Sequence, residues 1–341
     1  MQSSSSLFPK LVADLGGTNI RFAICDDPTA GDSYSLKLNH IEQFSLRDYE
    51  DLKHLITHYL SDKGLDKQNK KIQSCCFAVA GPIFNNQVKM TNYDWEISVD
   101  KLNAILKIEH SALINDFAAI AHSVPHLTDD QLISIGDGNA VADAPISLFG
   151  PGTGLGAALL VPLQDSDGKQ SYKVIATEGG HAAISARSDL ELAIFDYWRE
   201  KGCRINREFF VCGTGIERLY EAIVTIRGGD FDSQQLSAPE IQQRGCGTGN
   251  SDTENYCREA MNAFCTLLGS AAGDQALSTG ALGGLILAGG ILPKFVDFLG
   301  ASNFRKRFES KGVMSDYNKA IPTKLIIEPQ PGLLGAAAYQ A

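Results

Sequence analysis

Basic residues are in short supply in this chain: 30 Lys and Arg face 40 Asp and Glu, a formal charge of -10. A surface of that sign repels phosphate backbones and anionic bilayers, so nucleic acid and membranes are excluded as general partners. Long apolar runs are missing too, and with them any segment able to cross a bilayer as a helix. The opening MQSSSSLFPK has neither a basic n-region nor an apolar h-region, so no secretory leader is expected and a cytoplasmic location is. Eight cysteines are present, at 25, 75, 76, 203, 212, 246, 257 and 265, but no C-x-x-C pair. Cys25, Cys75, Cys76 and Cys265 sit in or beside apolar runs, which predicts buried or half-buried thiols rather than disulfides or zinc ligands. Three nucleotide-site signatures are absent as well: G-x-x-x-x-G-K-[ST], G-x-G-x-x-G opening a helix after a strand, and H-R-D with D-F-G. P-loop, Rossmann and protein-kinase readings lose their basis.

What the chain has is glycine, placed in a repeated pattern. LVADLGGTNIRFAI (11–24) and ISLFGPGTGLGAALLV (146–161) each join two apolar runs through a glycine turn that carries a Thr. Each spells a β-hairpin whose turn gathers backbone N–H groups into a concave, partly positive nest. Absent side chains at Gly16, Gly17, Gly152 and Gly154 would let a polyanion approach the backbone. One such turn is explained by hairpin geometry alone; two suggest half-sites for one nucleotide. GGLILAGGILPKF (283–295) reads as strand, double glycine and amphipathic helix, with Gly289 and Gly290 where adenine or ribose could lie against bare backbone.

With 341 residues the chain exceeds the roughly 250–300 at which a single core stops growing, so two lobes are expected. Strands are predicted near 35–44 and within IQSCCFAVAGPI (72–83), and helices over 46–60, 189–201, 216–227 and 255–278. The polar, glycine-rich QQRGCGTGNSDTEN from Gln242 reads as an exposed loop. In ALINDFAAIAHSVP (112–125) an apolar strand runs into Asn115 and Asp116 ahead of an Ala-rich helix, so Asp116 is either a helix N-cap or a carboxylate facing a cleft. In ATEGGHAAISAR (176–187) two glycines let Glu178 and His181 point into one cavity, where a carboxylate and a ring nitrogen can pair with neighbouring hydroxyls. A lone His is otherwise a structural residue.

Two glycine hairpins with a later strand-Gly-Gly-helix resemble the actin, Hsp70 and sugar-kinase ATPase superfamily. ADLGGTN (13–19), INDF (114–117), GPGTGLG (150–156), EGGH (178–181), LAGGI (287–291) and PGLLGA (331–336) resemble, in order, the motifs of bacterial-type glucokinases. Cys212 beside Gly213 stands where the ROK group of sugar kinases carries C-x-C-G-x-x-G-C, which favours the non-ROK group.

The resemblance implies a two-lobed, actin-like (ribonuclease H-like) α/β fold with an interlobe cleft, the small lobe being 1–125 plus 325–341 and the large lobe 126–324. It implies ATP-dependent phosphorylation of the 6-hydroxyl of D-glucose at the start of glycolysis, with magnesium, in a homodimer. Asp116 would take the hydroxyl proton, and Asn115, Glu178, His181, Glu208 and, within KMTNYDW, Thr91 and Asn92 would contact the sugar. Asp14 would orient magnesium through water. Gly16, Gly17, Thr18, Asn19, Gly152, Thr153 and Gly154 would hold phosphates, with Gly289 and Gly290 at the adenosine. PGLLGAA would join the tail to the first lobe, its glycines serving a hinge or tight packing. The alternatives are a kinase of fructose, mannose or an aminosugar, or a non-catalytic actin-like ATPase or sugar sensor.

Overall fold

The structure, a computed structural model, describes all residues except 1–6, 27–35, 66–70, 82, 91, 92, 94, 165–169, 234 and 341. The chain divides into two compact units: residues up to Thr128 with the tail from Glu328, and Asp129–Ile327.

In the first unit β1 (Lys10–Leu15) and β2 (Asn19–Cys25) pair antiparallel, from Leu15 opposite Ile20 to Lys10 opposite Cys25. This is the hairpin that the first glycine turn predicts. After them come β3 (Leu38–Ser45), α1 (Leu52–Asp62), β4 (Ser74–Val79), the ribbon of β5 (Gln87–Lys89) and β6 (Glu96–Ser98), α2 (Val99–Leu106), β7 (His110–Asn115) and α3 (Asp116–Ser123). The sheet order is β3-β2-β1-β4-β7, with β4 parallel to both β1 and β7. Alternation along β1 buries Leu11, Ala13 and Leu15 with α1 and α2, and sends Val12 to the opposite face. The helix expected over 46–60 is shorter at its start. A 3-10 turn occupies Leu46–Asp48, and α1 begins after Asp51, whose carboxylate caps it by accepting from the His54 N–H at 2.8 Å.

The second unit holds β8 (Leu132–Gly136), the hairpin β9 (Ile146–Pro151) and β10 (Leu155–Gln164), and β11 (Gln170–Thr177). Helices α4 (Asp189–Glu200), α5 (Arg207–Phe210), α6 (Gly213–Ile226), α7 (Ala238–Gly245) and α8 (Asp252–Thr279) follow. After these come β12 (Gly284–Leu287), α9 (Val296–Ala301), α10 (Phe304–Glu309), α11 (Ser315–Ala320) and β13 (Thr323–Ile326). The sheet order is β11-β10-β9-β12-β13-β8. Its first five strands repeat the other sheet's plan, an antiparallel three-strand meander continued by two parallel strands. The repeat seen as two glycine turns is therefore a repeat of whole sheets.

The stretch from Gln242 is not a single loop. Gln242–Gly245 finish α7, and Asp252 already begins α8 through a capping box in which Ser251 and Glu254 bond each other's backbone N–H. The polar capping residues Ser251 and Glu254, which also suit a loop, are what start the helix.

The chain returns to the first unit as α12 (Pro331–Ala338), where Leu333, Ala336 and Ala337 join Val12, Cys76 and Ala119 in one buried cluster. A Cβ at Gly335 would overlap the Ala119 carbonyl oxygen, so this glycine serves close helix packing. Six of the eight cysteines are buried, the other two half-buried, and all are free thiols. Burial pushes Cys75 up to about 11, and Cys76 and Cys265 up to about 12, which keeps them protonated and unreactive at neutral pH.

Candidate functional site

In the first unit Asp14 lies near the end of β1, half-buried, directly across the hairpin from Arg21, whose guanidinium is 3.7 Å from its carboxylate. Burial raises the pKa of Asp14, and Arg21 opposes that only in part. At the adjoining turn the amide of Gly16 donates to the Asn19 carbonyl at 2.9 Å, so it closes the turn instead of facing a ligand. Thr18 and Asn19 are exposed at the tip, joined by a bond of 3.0 Å from Asn19 Nδ2 to Thr18 Oγ1.

β7 ends at Asn115 and α3 begins at Asp116, both half-buried. The cap is Asn115: its Oδ1 accepts from the N–H groups of Phe117 and Ala118, each at 3.0 Å. Asp116 is the first helical residue, with one carboxylate oxygen accepting from Phe117 N–H at 2.8 Å. The N-cap alternative for Asp116 is thus overturned. Asn115 satisfies the helix terminus, and the positive end of the helix dipole acts on the Asp116 carboxylate. Of the expected sugar contacts, Thr91 and Asn92 lie outside the described residues.

In the second unit β10 leads back through β11 to Glu178, and Gly179–His181 form one 3-10 turn. His181 Nε2 lies 4.0 Å from Glu178, and its Nδ1 lies 3.9 Å from Glu208 at the start of α5. These three side chains, expected to act together, are brought together. The other Glu208 oxygen accepts the Leu155 N–H at 2.7 Å, at the point where the second glycine turn enters β10. A Cβ at Gly154 would come within 2.5 Å of that carboxylate. This glycine is needed first for the protein's own packing.

The second turn closes as the first does: the Gly152 amide donates to the Gly154 carbonyl at 2.8 Å, while Thr153 stands exposed. Space around Gly152 is open, and a methyl group there would meet no atom within 4 Å. At the third glycine element the expected amphipathic helix is a 3-10 turn, Leu292–Phe295, followed by the short α9. Gly289 has φ +96°, and a Cβ there would strike the Pro151 carbonyl at the end of β9, so its lack of a side chain is explained by strand packing. Gly290 faces open space and is exposed. Two residues that sequence reasoning missed, Arg207 and Gln275, lie buried behind the Glu178–His181 turn. Nothing in the sequence marks Gln275, which reaches Arg207 across 68 positions.

Residues 11–341 match the family model described as Glucokinase. The chain belongs to the glucokinase family. It is 40% identical over 332 residues to the glucokinase of Colwellia psychrerythraea, covering 96% of this chain and 95% of that one. To the glucokinase of Pectobacterium atrosepticum it is 37% identical over 329 residues, covering 96% of each chain. Among solved structures, a glucokinase from an Antarctic psychrotroph superposes with a TM-score of 0.83 at 37% identity, covering 96% of this chain and 97% of that chain. Family membership extends through both units, consistent with motifs that run from Ala13 to Ala336.

Proposed function

We infer that this chain transfers the γ-phosphoryl group of ATP to the 6-hydroxyl of D-glucose, giving glucose 6-phosphate and ADP. The observation that carries the reading is the approach of Glu178, His181 and Glu208 to within 4.0 Å in a glucokinase-family chain. Two carboxylates flanking an imidazole offer acceptors and a ring N–H to neighbouring sugar hydroxyls, and an epimer with one hydroxyl misplaced leaves a partner unsatisfied.

Phosphoryl transfer asks a protein mainly for alignment and charge stabilisation. Asp116 accepts the proton of the 6-hydroxyl as that oxygen attacks the γ-phosphorus and the bond to ADP breaks. Its place in the first turn of α3, with one oxygen accepting the Phe117 N–H, fixes the carboxylate where β7 passes into the helix. Asn115 turns its amide nitrogen to the sugar, since its oxygen is committed to the cap. The exposed turn at Gly17–Asn19 and the half-buried turn at Gly152–Gly154, with Thr153 exposed at its tip, take the phosphates, and Gly290 takes the adenosine with Gly289 behind it.

Magnesium suits Asp14, a half-buried carboxylate whose charge Arg21, at 3.7 Å, offsets in part. Held there through its waters, magnesium would supply neutralising charge for the phosphates of ATP. No helix among the described residues is long and apolar enough to cross a membrane, and a cytoplasmic homodimer completes the reading.

A coupled ADP-release assay across a hexose panel tests substrate choice: glucose should have the highest kcat/KM, and equal turnover of fructose or galactose overturns the assignment. Asp116→Asn tests the chemistry. Its kcat should fall by roughly 10²–10⁴-fold with glucose affinity nearly kept; near-normal turnover would move the base elsewhere.

A further inference from the structure

The turn carrying Glu178 and His181 is held from behind by a buried polar pair. Arg207 donates through one guanidinium nitrogen to the Gly179 carbonyl at 3.2 Å and to Gln275 Oε1 at 3.0 Å. Its own backbone N–H donates to the Ala182 carbonyl at 3.0 Å, just past the turn. Both side chains are buried, Arg207 at 8% exposure and Gln275 at 6%. Gln275 belongs to α8, the long core helix of this unit, so the turn is referenced to a rigid element. On its other side the turn rests on the hairpin, because a Cβ at Gly180 would strike the Leu155 carbonyl. Leu155 is also the residue whose N–H holds Glu208. Asn206 adds a contact of 3.4 Å from Nδ2 to His181 Nδ1.

Arg207 is a costly choice for this place. Its Nε is buried without a partner among the described residues, and burial lowers the guanidinium pKa against the opposing charge of Asp274. An apolar side chain of similar volume would fill the space without the desolvation penalty. What the guanidinium supplies is one nitrogen whose two N–H bonds are fixed in the guanidinium plane, so that a backbone carbonyl and a side-chain acceptor are held at set angles; a lysine ammonium, rotating on a flexible stem, sets no such angles. Gly179 lies between Glu178 and His181, so fixing its carbonyl orients the 179–180 peptide plane midway between the two side chains.

We propose that Arg207 and Gln275 are positioning residues for glucose, which set the Glu178–His181 turn against the second glycine hairpin. This rests on Glu178 and His181 being the glucose ligands. The test is steady-state kinetics of the full-length Arg207→Lys, Gln275→Leu and Gln275→Glu variants, varying glucose and ATP separately, with thermal midpoints, and with Glu178→Gln and His181→Gln as references. Arg207→Lys and Gln275→Leu should raise the glucose KM by about tenfold, the scale of one lost hydrogen bond to a charged group, with ATP KM changed by less than about twofold. Gln275→Glu keeps the acceptor and should return glucose KM to within about twofold of the parent. Reference variants impaired while Arg207→Lys and Gln275→Leu behave as the parent would overturn the positioning role alone. The same holds if Gln275→Glu fares no better than Gln275→Leu, with losses that follow the thermal midpoint. Reference variants with unchanged glucose KM would overturn the ligand assignment, and this inference with it.

Discussion

Four glycines that look alike in the sequence do different work at the residue scale. Gly154 and Gly289 are required by neighbours within the protein, the Glu208 carboxylate and the Pro151 carbonyl, whereas Gly152 and Gly290 face open space. Alanine therefore separates folding from binding. At Gly152 and Gly290 the added methyl meets no protein atom, so the thermal midpoint should hold while ATP KM rises, because only a bound nucleotide can clash with it. At Gly154 the methyl must displace a carboxylate fixed on Leu155 N–H at 2.7 Å, so glucose KM should rise and stability fall. Overpacking of this kind costs about 1–3 kcal/mol. Differential scanning fluorimetry beside kinetics reads both. Unchanged ATP KM in Gly152→Ala and Gly290→Ala would remove these turns from the nucleotide site.

The contact of α3 with α12 carries a pH dependence at the scale of elements. His122, in the last turn of α3, stacks edge-on against Tyr339 with ring centroids 5.1 Å apart. Burial, with Lys10 and His126 adding positive charge, brings its pKa down from 6.5 to about 4. Lys10 is tied to the same region through the carbonyls of Ala337 and Tyr339. Between these two values the unfolded chain binds a proton that the folded chain refuses. His122 thus contributes stability that is complete above about 6.5 and is lost as pH falls through about 4. His122→Phe keeps an aromatic ring against Tyr339 and removes the titration. The stability of this variant relative to the parent should rise steadily as pH is lowered from 6.5 to 4. A constant difference between the two denaturation curves across that range would place the proton elsewhere.

For the whole molecule, the arrangement of cores decides how the chain can be cut. The second unit is continuous and has one core of its own, built around α6 and α8 with Phe264, Leu267 and Tyr220 fully buried. The first unit is discontinuous, and one face of its sheet is covered by α12, where Leu333 and Ala336 are fully buried. A fragment of residues 129–327 should keep a cooperative thermal transition, whereas a chain ending at 327 should lose the transition of the first unit and retain that of the second. Calorimetry of both fragments checks this. A single melt unaffected by loss of the tail would mean that α12 adds little to the first core.

Periodicity and turn chemistry in the sequence determine the two glycine hairpins, the helices α1, α3, α4, α6 and α8, and the strand-to-helix passage at Asn115–Asp116, because these are local matters of alternation, glycine and capping. Local pattern failed where two polar residues cap a helix, as at Ser251 and Glu254, since the same residues also make loops. The EGGH spacing is enough to put Glu178 and His181 on one turn. That Glu208 comes to within 3.9 Å of His181 and that Gln275 supports the turn from a distant helix were decided only by tertiary packing. The physical reason is range. A cap or a turn is fixed by bonds within a few residues, whereas the partner of a buried carboxylate or guanidinium is chosen by which elements the core brings together, and no spacing in one sequence encodes that choice.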